Sequence, residues 1–347
     1  MPDKNWFDAG PVGRLKIKQL QQIMIGKTPI ALVFKNNEFS AVSGECNHEK
    51  GPLGRGRMEG DHIVCPWHGW RFHRITGHAK PPNEIACLPR HEVQRKSGHL
   101  FIKIKPSNKR VHFPHPPHPL ARLVRRKEGP IRVAAISTTP LDKDYPRYST
   151  SENVLLAALT HARSKLKAET KLIKLRDLKF HHCGGFYSID ERACTWPCTF
   201  SQMDEKDELT EVYEALVFWA DVILVATPIR WGSASSLYYK MVERLNCIEN
   251  QVLLHKKTLI KNKVAAFIIT GGQDNVQAVA GNMMMFFGEI GFLFPKNPFI
   301  GHSRGWAAED MDNNIAFVQS NEKLKQEARD LVDRSVNTAK ALLNKKS

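Results

Sequence analysis

The sequence predicts a multidomain chain, in which an all-β N-terminal part precedes an α/β part built on a doubly wound, five-stranded parallel sheet. Three observations support this fold class. The N-terminal part alternates short apolar runs with turn residues, whereas from Ile131 onward β-type runs alternate with helical stretches. A segment rich in proline, histidine and basic residues separates the two patterns. We therefore expect domains at residues 1–108 and 130–347, joined by a linker at residues 109–129.

The N-terminal elements are predicted as antiparallel hairpins, because runs with β-type alternation flank short turn signals. One hairpin joins residues 30–34 to residues 39–42 around the turn 35–38, and another joins residues 91–94 to residues 100–104 around Ser97 and Gly98. In the linker, the prolines at residues 111–119 favour a semi-rigid extended spacer. A metal site built from the spaced histidines of the same stretch is the alternative.

In the C-terminal part, strands alternate with helices, which is typical of a parallel sheet covered on both faces. The predicted strands are residues 131–136, 171–175, 221–227, 263–270 and 291–295. The predicted helices are residues 152–166, 206–220, 234–245 and 276–289, with a closing helix near residues 320–343. This succession favours the flavodoxin-like strand order 2-1-3-4-5. In that order, ligands bind beyond the carboxyl ends of the strands, where the first and third strands lie side by side.

Two short loops in the N-terminal part each supply one cysteine and one histidine. Cys46 pairs with His48 and Cys65 pairs with His68, with sixteen residues between the loops. Two thiolates and two imidazoles can hold a 2Fe-2S cluster, with the thiolates on one iron and the imidazoles on the other. The same residue types also suit tetrahedral zinc, although zinc fingers group their cysteines at one end and their histidines at the other. We therefore predict a 2Fe-2S site with these four ligands.

The runs at residues 46–54 and 65–72 resemble Rieske ferredoxins and the Rieske domains of ring-hydroxylating oxygenases, and the resemblance covers residues 1–108. It implies that the two cysteines bind the inner iron and that the two histidines bind the outer, solvent-facing iron. Neither loop has the additional cysteine that Rieske proteins of respiratory complexes join in a disulfide. The resemblance thus favours the ferredoxin or oxygenase type.

Three loops beyond the strand ends of the C-terminal part carry residues suited to a flavin. The first loop offers hydroxyls and helix-start amides to a phosphate dianion. The candidate binding residues are Ser137, Ser149, Thr150 and Ser151 in the first loop, Pro228, Ile229, Arg230, Trp231 and Gly232 in the second, and Gly271, Gly272 and Gln273 in the third.

Together these loops resemble flavodoxin-like, NAD(P)H-dependent FMN reductases over residues 130–310. The resemblance implies FMN as cofactor, with its phosphate on the first loop and its isoalloxazine ring against the other two, and NAD(P)H as co-substrate. The first loop lacks glycine and is longer than the family's usual form, so that Arg147 is the one candidate for the family's arginine. No catalytic residue is assigned. Because related reductases usually oligomerise, we expect a homo-oligomer.

A further group of cysteines lies between the second strand and the second helix of the C-terminal part. Cys183, Cys194 and Cys198 occupy the insertion in which iron–sulfur flavoproteins of this superfamily carry four cysteines. Only three are close here. We therefore expect buried or redox-active thiols rather than a second cluster.

The formal net charge of +16 is unevenly distributed, with +10 in residues 1–110 and +3 in residues 111–129. A basic N-terminal part favours an acidic redox partner over nucleic acid, since opposite charges steer brief electron-transfer encounters. A solvated basic surface without a specific partner is the alternative. The sequence contains no run of about 20 apolar residues and no apolar signal region, so we predict no membrane segment. The cysteine usage favours a cytoplasmic, thiol-reducing compartment.

The two halves together predict an electron-transfer oxidoreductase. NAD(P)H delivers two electrons at once whereas a Rieske cluster holds one, and a flavin can mediate between them. We expect electrons to pass from FMN to the cluster and on to a separate acceptor protein such as an oxygenase component. The alternatives are a self-contained reductase of quinone, azo or nitro compounds and a non-enzymatic redox sensor. A terminal oxygenase is disfavoured, because no clear two-histidine, one-carboxylate iron motif follows the linker.

Overall fold

A computed structural model describes residues 5–80, 87–104, 118–142, 144–145, 147–188, 191–204, 206–271, 275–304 and 308–344. The chain divides into two compact units. Unit 1 comprises Met1–His118 together with Gly185–Cys194, and unit 2 comprises Pro119–Gly184 together with Thr195–Ser347. The chain therefore leaves unit 2 for ten residues, folds with unit 1 and returns.

Unit 1 is an antiparallel β structure. Its strands are β1 (Trp6–Pro11), β2 (Leu20–Ile25), β3 (Thr28–Lys35), β4 (Glu38–Ser43), β5 (Arg57–Glu59), β6 (His62–Val64), β7 (Arg71–His73), β8 (Arg90–Lys96) and β9 (His99–Lys103). They form a six-stranded sheet of order β1-β9-β8-β4-β3-β2 and a three-stranded sheet of order β5-β6-β7. Its helical turns are α1 (Val12–Leu15), Leu53–Arg55, Phe186–Ser188 and Glu191–Ala193. The all-β prediction for the N-terminal part is confirmed.

Both predicted hairpins are present, and their turn residues explain their geometry. Asn36 and Asn37, between β3 and β4, have φ of 52° and 59°, and Ser97 and Gly98, between β8 and β9, have φ of 50° and 78°. Two successive positive φ angles match the twist of paired strands, and asparagine and glycine adopt them readily.

Strand β3 separates the two apolar layers of unit 1. Ala31 and Val33 point into a core that also contains Cys46 and Cys65, whereas Ile30 and its alternate neighbours point into a second core beneath the long sheet. Successive side chains of a strand face opposite sides, so a strand buried on both faces is a continuous apolar run. The cysteine loops are thereby anchored in the interior of unit 1.

Unit 2 is a five-stranded parallel sheet between helices. Its strands are β10 (Arg132–Ser137), β11 (Glu169–Lys174), β12 (Val222–Pro228), β13 (Val264–Gly271) and β14 (Phe299–Ser303). The order β11-β10-β12-β13-β14 confirms the predicted arrangement 2-1-3-4-5. The helices are α2 (Thr150–Ser164), α3 (Thr199–Met203), α4 (Thr210–Tyr213, continued by a π-helix at Glu214–Trp219), α5 (Ser236–Leu253), α6 (Val276–Glu289), α7 (Ala308–Ser320) and α8 (Glu322–Asn344), and a 3-10 turn spans Leu175–Asp177.

The fifth strand was predicted at residues 291–295, and this was wrong. In that stretch only Leu293 forms a bridge, to Val264, while the paired strand is β14. Asn297, with φ of 50°, turns the chain between the two segments. A Cβ on Gly301 within β14 would lie 2.1 Å from Val276 of α6, so a residue with low β-propensity is required where the helix crosses the strand.

The core of unit 2 lies on both faces of the sheet. Val222, Leu224 and Ala226 of β12 pack with α2 and α8 on one face, and the intervening residues of the strand are buried on the other. This packing places the ends of β10 and β12, and the loops that follow them, at one edge of the sheet. Among the residues described, no helix is long and apolar enough to cross a membrane.

Candidate cluster and flavin sites

The two cysteine loops of unit 1 have the same backbone geometry. The N–H of Cys46 donates to the carbonyl of Gly51 at 2.9 Å, and the N–H of Cys65 donates to the carbonyl of Trp70 at 2.7 Å. In each loop a second bond returns to the cysteine carbonyl from the residue four positions on, at 3.0 and 3.1 Å. The matched loops hold each histidine close to the cysteine that precedes it.

The four predicted ligands meet as two pairs of donor atoms. The Nδ1 atoms of His48 and His68 are 2.8 Å apart, and their rings form a T-shaped contact. The thiols of Cys46 and Cys65 lie close enough to shift each other's pKa, and all four side chains are buried. Burial raises the pKa of Cys46 well above its usual value, whereas the hydrogen bond from Cys46 lowers the pKa of Cys65. The pairing separates soft thiolate donors from imidazole donors, as a Rieske site requires.

The space around the sulfurs fits such a group. A Cβ on Gly51 would lie 2.7 Å from the sulfur of Cys65 and 3.3 Å from the ring of Trp67, so only glycine leaves the thiol unobstructed. Over the described part of the chain, no group of three or more His, Cys, Asp and Glu side chains is placed to hold a metal ion. Two separate donor pairs suit a two-iron cluster, because bridging sulfides complete the ligands of each iron.

Both imidazoles are covered. His48 stacks on Trp70 with ring centroids 5.1 Å apart and planes 6° from parallel. The Nε2 of His68 lies 2.9 Å from the carbonyl oxygen of Ala193, and its ring is 6.4 Å from that of Phe186. Ala193 and Phe186 belong to Gly185–Cys194, which we call the cap segment. The sequence analysis missed this segment, because no local pattern links it to a histidine 125 residues earlier.

In unit 2, three hydroxyls meet at the start of α2. The Oγ1 of Thr139 lies 2.9 Å from the Oγ of Ser149 and 3.1 Å from that of Ser151, and the two serine oxygens are 3.3 Å apart. We call these three side chains the hydroxyl triad. Ser149 is also the N-cap of α2, because its Oγ accepts the N–H of Glu152. Thr139 was not predicted, although the hydroxyl run at residues 137–139 contains it.

The predicted residue Ser137 lies elsewhere in this loop. It is buried and donates to the carboxylate of Glu152 at 2.9 Å. The same carboxylate forms ion pairs with Arg176 and Lys174, each at 2.6 Å. Burial alone would raise the pKa of Glu152, but the hydrogen bonds from these partners lower it. Ser137 therefore supports an internal ion cluster. Thr150, the fourth predicted residue of this loop, has its hydroxyl 2.7 Å from that of Thr270 at the end of β13.

The loop after β12 forms a tight turn. Arg230 and Ser233 exchange backbone hydrogen bonds of 2.8 and 2.9 Å around Trp231 and Gly232, whose φ angles are 49° and 69°. The Nδ2 of Asn275 donates to the carbonyl of Gly232 at 2.6 Å, which fixes the turn from the neighbouring loop. The turn leaves Trp231 91% exposed. A large ring presented in this way is available to stack on a planar ligand.

The loops after β12 and β13 are joined at their bases. The N–H of Ile229 donates to the carbonyl of Thr270 at 2.8 Å, and Pro228 pairs with the same residue in the sheet. Gly271 ends β13 and is buried. The other two predicted residues of this loop, Gly272 and Gln273, lie outside the described residues.

One of the predicted thiols, Cys198, belongs to a buried network of polar side chains. Cys198 of unit 2 is buried and accepts a hydrogen bond from the Nε of Arg244 at 3.2 Å, while Arg244 pairs with Asp207 at 2.6 Å, both fully buried. A hydrogen bond from Cys247 and the charge of Arg244 lower the pKa of Cys198 to about 5, against the opposing effect of burial. Cys198 thus lies in a buried ion network that favours its thiolate form.

A β unit with paired cysteine and histidine donors and a parallel-sheet unit with a hydroxyl-lined edge define an iron–sulfur flavoprotein. The chain belongs to the NADPH-dependent FMN reductase family, whose sequence profile matches residues 131–307, and the Rieske [2Fe-2S] domain profile matches residues 5–92. Its cofactors are accordingly a Rieske 2Fe-2S cluster and FMN.

Individual relatives match limited stretches of the chain. The chain is 36% identical over 74 residues to the 4beta-methylsterol monooxygenase of Methylococcus capsulatus, covering 21% of this chain and 20% of the relative. It is 31% identical over 80 residues to the ferredoxin CarAc of Metapseudomonas resinovorans, covering 22% of this chain and 73% of the ferredoxin. It is 31% identical over 78 residues to the 8-demethyl-8-aminoriboflavin-5'-phosphate synthase of Streptomyces davaonensis, covering 22% and 30%. Of these three relatives, the chain spans most of the ferredoxin but less than a third of the length of the monooxygenase and of the synthase.

Proposed function

We propose that this protein carries electrons from NAD(P)H through its flavin unit to its Rieske unit and on to a separate acceptor protein. The main observation in support is that one chain contains both an FMN reductase domain and a Rieske domain. FMN accepts the electron pair of a hydride and a Rieske cluster accepts single electrons, so the two cofactors together convert a pair into singles.

In unit 1, we assign Cys46 and Cys65 to one iron and the Nδ1 atoms of His48 and His68 to the other. The convergence of the two Nδ1 atoms at 2.8 Å supports this choice of nitrogen. Backbone N–H groups of each loop donate to its cysteine sulfur. Hydrogen bonds to the sulfurs stabilise their negative charge and help to set the potential of the site.

In unit 2, we assign the flavin phosphate to the hydroxyl triad. The three hydroxyls can all donate, and they lie at the N-terminus of a 15-residue helix whose dipole favours an anion. The carboxylate of Glu152 is engaged by Arg176 and Lys174, which neutralises the one acidic group of this turn. The relative named for a riboflavin-5'-phosphate derivative supports a site for this class of ligand.

We assign the isoalloxazine ring to the loops after β12 and β13, residues 228–232 and 271–273. The hydrogen-bonded turn of the loop after β12 and the exposed Trp231 offer a surface for a planar ring and for the nicotinamide that must approach it. We assign no general acid or base, since hydride transfer requires orientation of the two rings rather than a proton relay.

The acceptor is proposed to be an acidic protein such as an oxygenase component. The resemblance to a ferredoxin supports onward transfer to another protein, and the resemblance to a monooxygenase links this Rieske type to oxygenation. The charge of +10 in residues 1–110 supports an acidic surface on that partner, because complementary charge accelerates encounter.

The test replaces a proposed ligand and a matched thiol. Cys65→Ser should remove the cluster absorbance and labile sulfide but leave reduction of bound FMN by NAD(P)H nearly unchanged, since the two sites lie in different units. Cys87→Ser is the control, because Cys87 is an exposed thiol of the same unit. Rapid-mixing absorbance follows both chromophores.

A second variant, in unit 2, tests whether the cluster receives its electrons from the flavin. Gly232→Asp places a charged side chain at a positive φ in the ring loop, so it should leave the cluster intact but prevent NAD(P)H from reducing it. Reduction of the cluster by NAD(P)H at the wild-type rate in protein stripped of flavin would refute the proposed circuit.

A further inference from the structure

The cap segment, Gly185–Cys194, is the one stretch of residues 119–347 that folds with unit 1. Its two 3-10 turns, Phe186–Ser188 and Glu191–Ala193, place Ala193 fully buried in the same core as Cys46 and Cys65. Phe186 packs against this core from its edge. The segment is therefore built into the surroundings of the cluster ligands.

The contact between Ala193 and His68 determines which nitrogen of the His68 ring carries the hydrogen. A carbonyl oxygen can only accept, so the Nε2 that lies 2.9 Å from Ala193 must carry the hydrogen. In a neutral imidazole the other nitrogen, Nδ1, then presents a lone pair, and this is the atom that faces His48. A backbone carbonyl that holds the remote N–H of a metal-binding histidine orients the ring and increases its basicity.

The cap segment also occupies the approach to this histidine. His68 is 3% exposed, with the Ala193 carbonyl at its outer nitrogen and Phe186 beside its ring. A protein that docks on the exposed edge of such a ligand would have to displace the segment. The chain on both sides of the segment, at Gly184 and Thr195, belongs to unit 2.

We propose that the cap segment orients the iron ligand His68 through the Ala193 carbonyl and closes this face of the cluster to outside molecules. This rests on the proposed function. Ala193 and Phe186 are positioning residues.

The test opens the cap in the complete holoprotein. Ala193→Asp introduces a carboxylate at a fully buried methyl, which an apolar core does not tolerate. Phe186→Ala removes the ring while keeping the backbone contact. Tyr187→Ala is the matched control, because it truncates a neighbouring aromatic side chain that is 52% exposed.

Three readouts are compared at equal cluster and FMN content. Opening the cap should raise the cluster's reduction potential in a redox titration followed by electron paramagnetic resonance, because water reaches the histidine ligand and, in Ala193→Asp, the displaced segment also withdraws the carbonyl that accepts from His68. Reoxidation of the dithionite-reduced cluster by ferricyanide should become several-fold faster. Reduction of the cluster by NAD(P)H through the flavin should not become faster, because the cap restricts only molecules from outside the chain. The Tyr187 variant should match wild type in all three.

Faster reaction of the cluster with ferricyanide, without faster reduction by NAD(P)H, distinguishes a cap from a merely stabilising segment. If Phe186→Ala and Ala193→Asp behave like the control, or if both rates fall together, the inference is refuted. If Ala193→Asp lowers the iron content, the test rests on the Phe186→Ala variant, with hydrogen–deuterium exchange of the cluster loops as an additional measurement. Unchanged exchange and an unchanged reduction potential in that variant would refute the inference. Absence of a dithionite-reducible Rieske signal in wild type would instead refute the proposed function.

Discussion

Replacing Ser151 by alanine tests the phosphate assignment with little risk to the fold. Ser149 is less suitable, because it caps α2 and its loss costs about 1 kcal/mol of stability on that account alone. Within the part of the chain that the structure describes, the hydroxyl of Ser151 hydrogen-bonds to the other two members of the hydroxyl triad, and these remain 2.9 Å apart and partnered after the substitution. We therefore expect the free energy of unfolding of the apoprotein to change by less than about 1 kcal/mol.

The expected effect on FMN binding follows from the geometry. If the triad donates to the phosphate dianion, Ser151→Ala removes one hydrogen bond to a charged group, which is worth about 1.5–3 kcal/mol. Since 1.4 kcal/mol corresponds to a factor of about ten, the Kd of FMN should rise roughly 10- to 100-fold. Ser151→Asp adds repulsion of about 4 kcal/mol for each unit of phosphate charge at about 4 Å, and should leave the site empty.

Apoprotein is titrated with FMN and with riboflavin, and binding is followed by quenching of flavin fluorescence. Comparing the two ligands separates the contribution of the phosphate to binding from that of the ring. Ser151→Ala should weaken FMN and leave riboflavin unchanged. Ser164→Ala, an exposed serine at the other end of α2, should affect neither. Equal weakening of both flavins, or no weakening of FMN, would show that the triad does not hold the phosphate.

Three further substitutions test other parts of the structure. Gly51→Ala should abolish cluster assembly while FMN is retained, since its Cβ would lie 2.7 Å from the sulfur of Cys65; iron and sulfide assays check this, and full cluster content would contradict it. Asp207→Ala should destabilise unit 2 by about 3–5 kcal/mol in denaturant melts, because Arg244 is left charged and buried; a change below about 1 kcal/mol would contradict it. The folded-state pKa of Cys198, about 5, lies below its usual 9.0, so the thiolate stabilises the fold fully above pH 9 and loses this effect as the pH falls through 5. The stability of wild type relative to Cys198→Ser should therefore decrease by up to about 1.4 kcal/mol per pH unit over that window, and a pH-independent difference would refute it.

Features set by neighbouring residues were predictable from the sequence. The turn at Asn36 and Asn37 fixes the hairpin around it, and the continuous apolar strands of unit 2 fix a parallel sheet. Strand β14 was not predictable in this way, because its sequence includes Gly301 and its position depends on the close crossing of α6. Local propensity is a weak guide where a distant element decides the packing.

The candidate sites divide in the same way. The four proposed iron ligands lie in two short loops, so their spacing carries the information. These site residues remain predictions, and the geometry of the structure makes them testable. Thr139 joins Ser149 and Ser151 only because of the path of the intervening loop, which no local pattern specifies. Ser137, predicted for the phosphate, instead faces Glu152 because its strand position turns it inward.

The cap segment shows why contiguous domain boundaries omit part of the Rieske unit. A cut after residue 108 keeps all four proposed iron ligands but removes Ala193 and Phe186 from the core that surrounds them. The Nε2 of His68 would then lose its carbonyl partner and gain water, and both changes alter the charge that the ring donates to iron. The surroundings of the proposed outer-iron ligand are therefore a property of the whole chain. Joining the two units in one polypeptide supplies the cap together with the flavin domain.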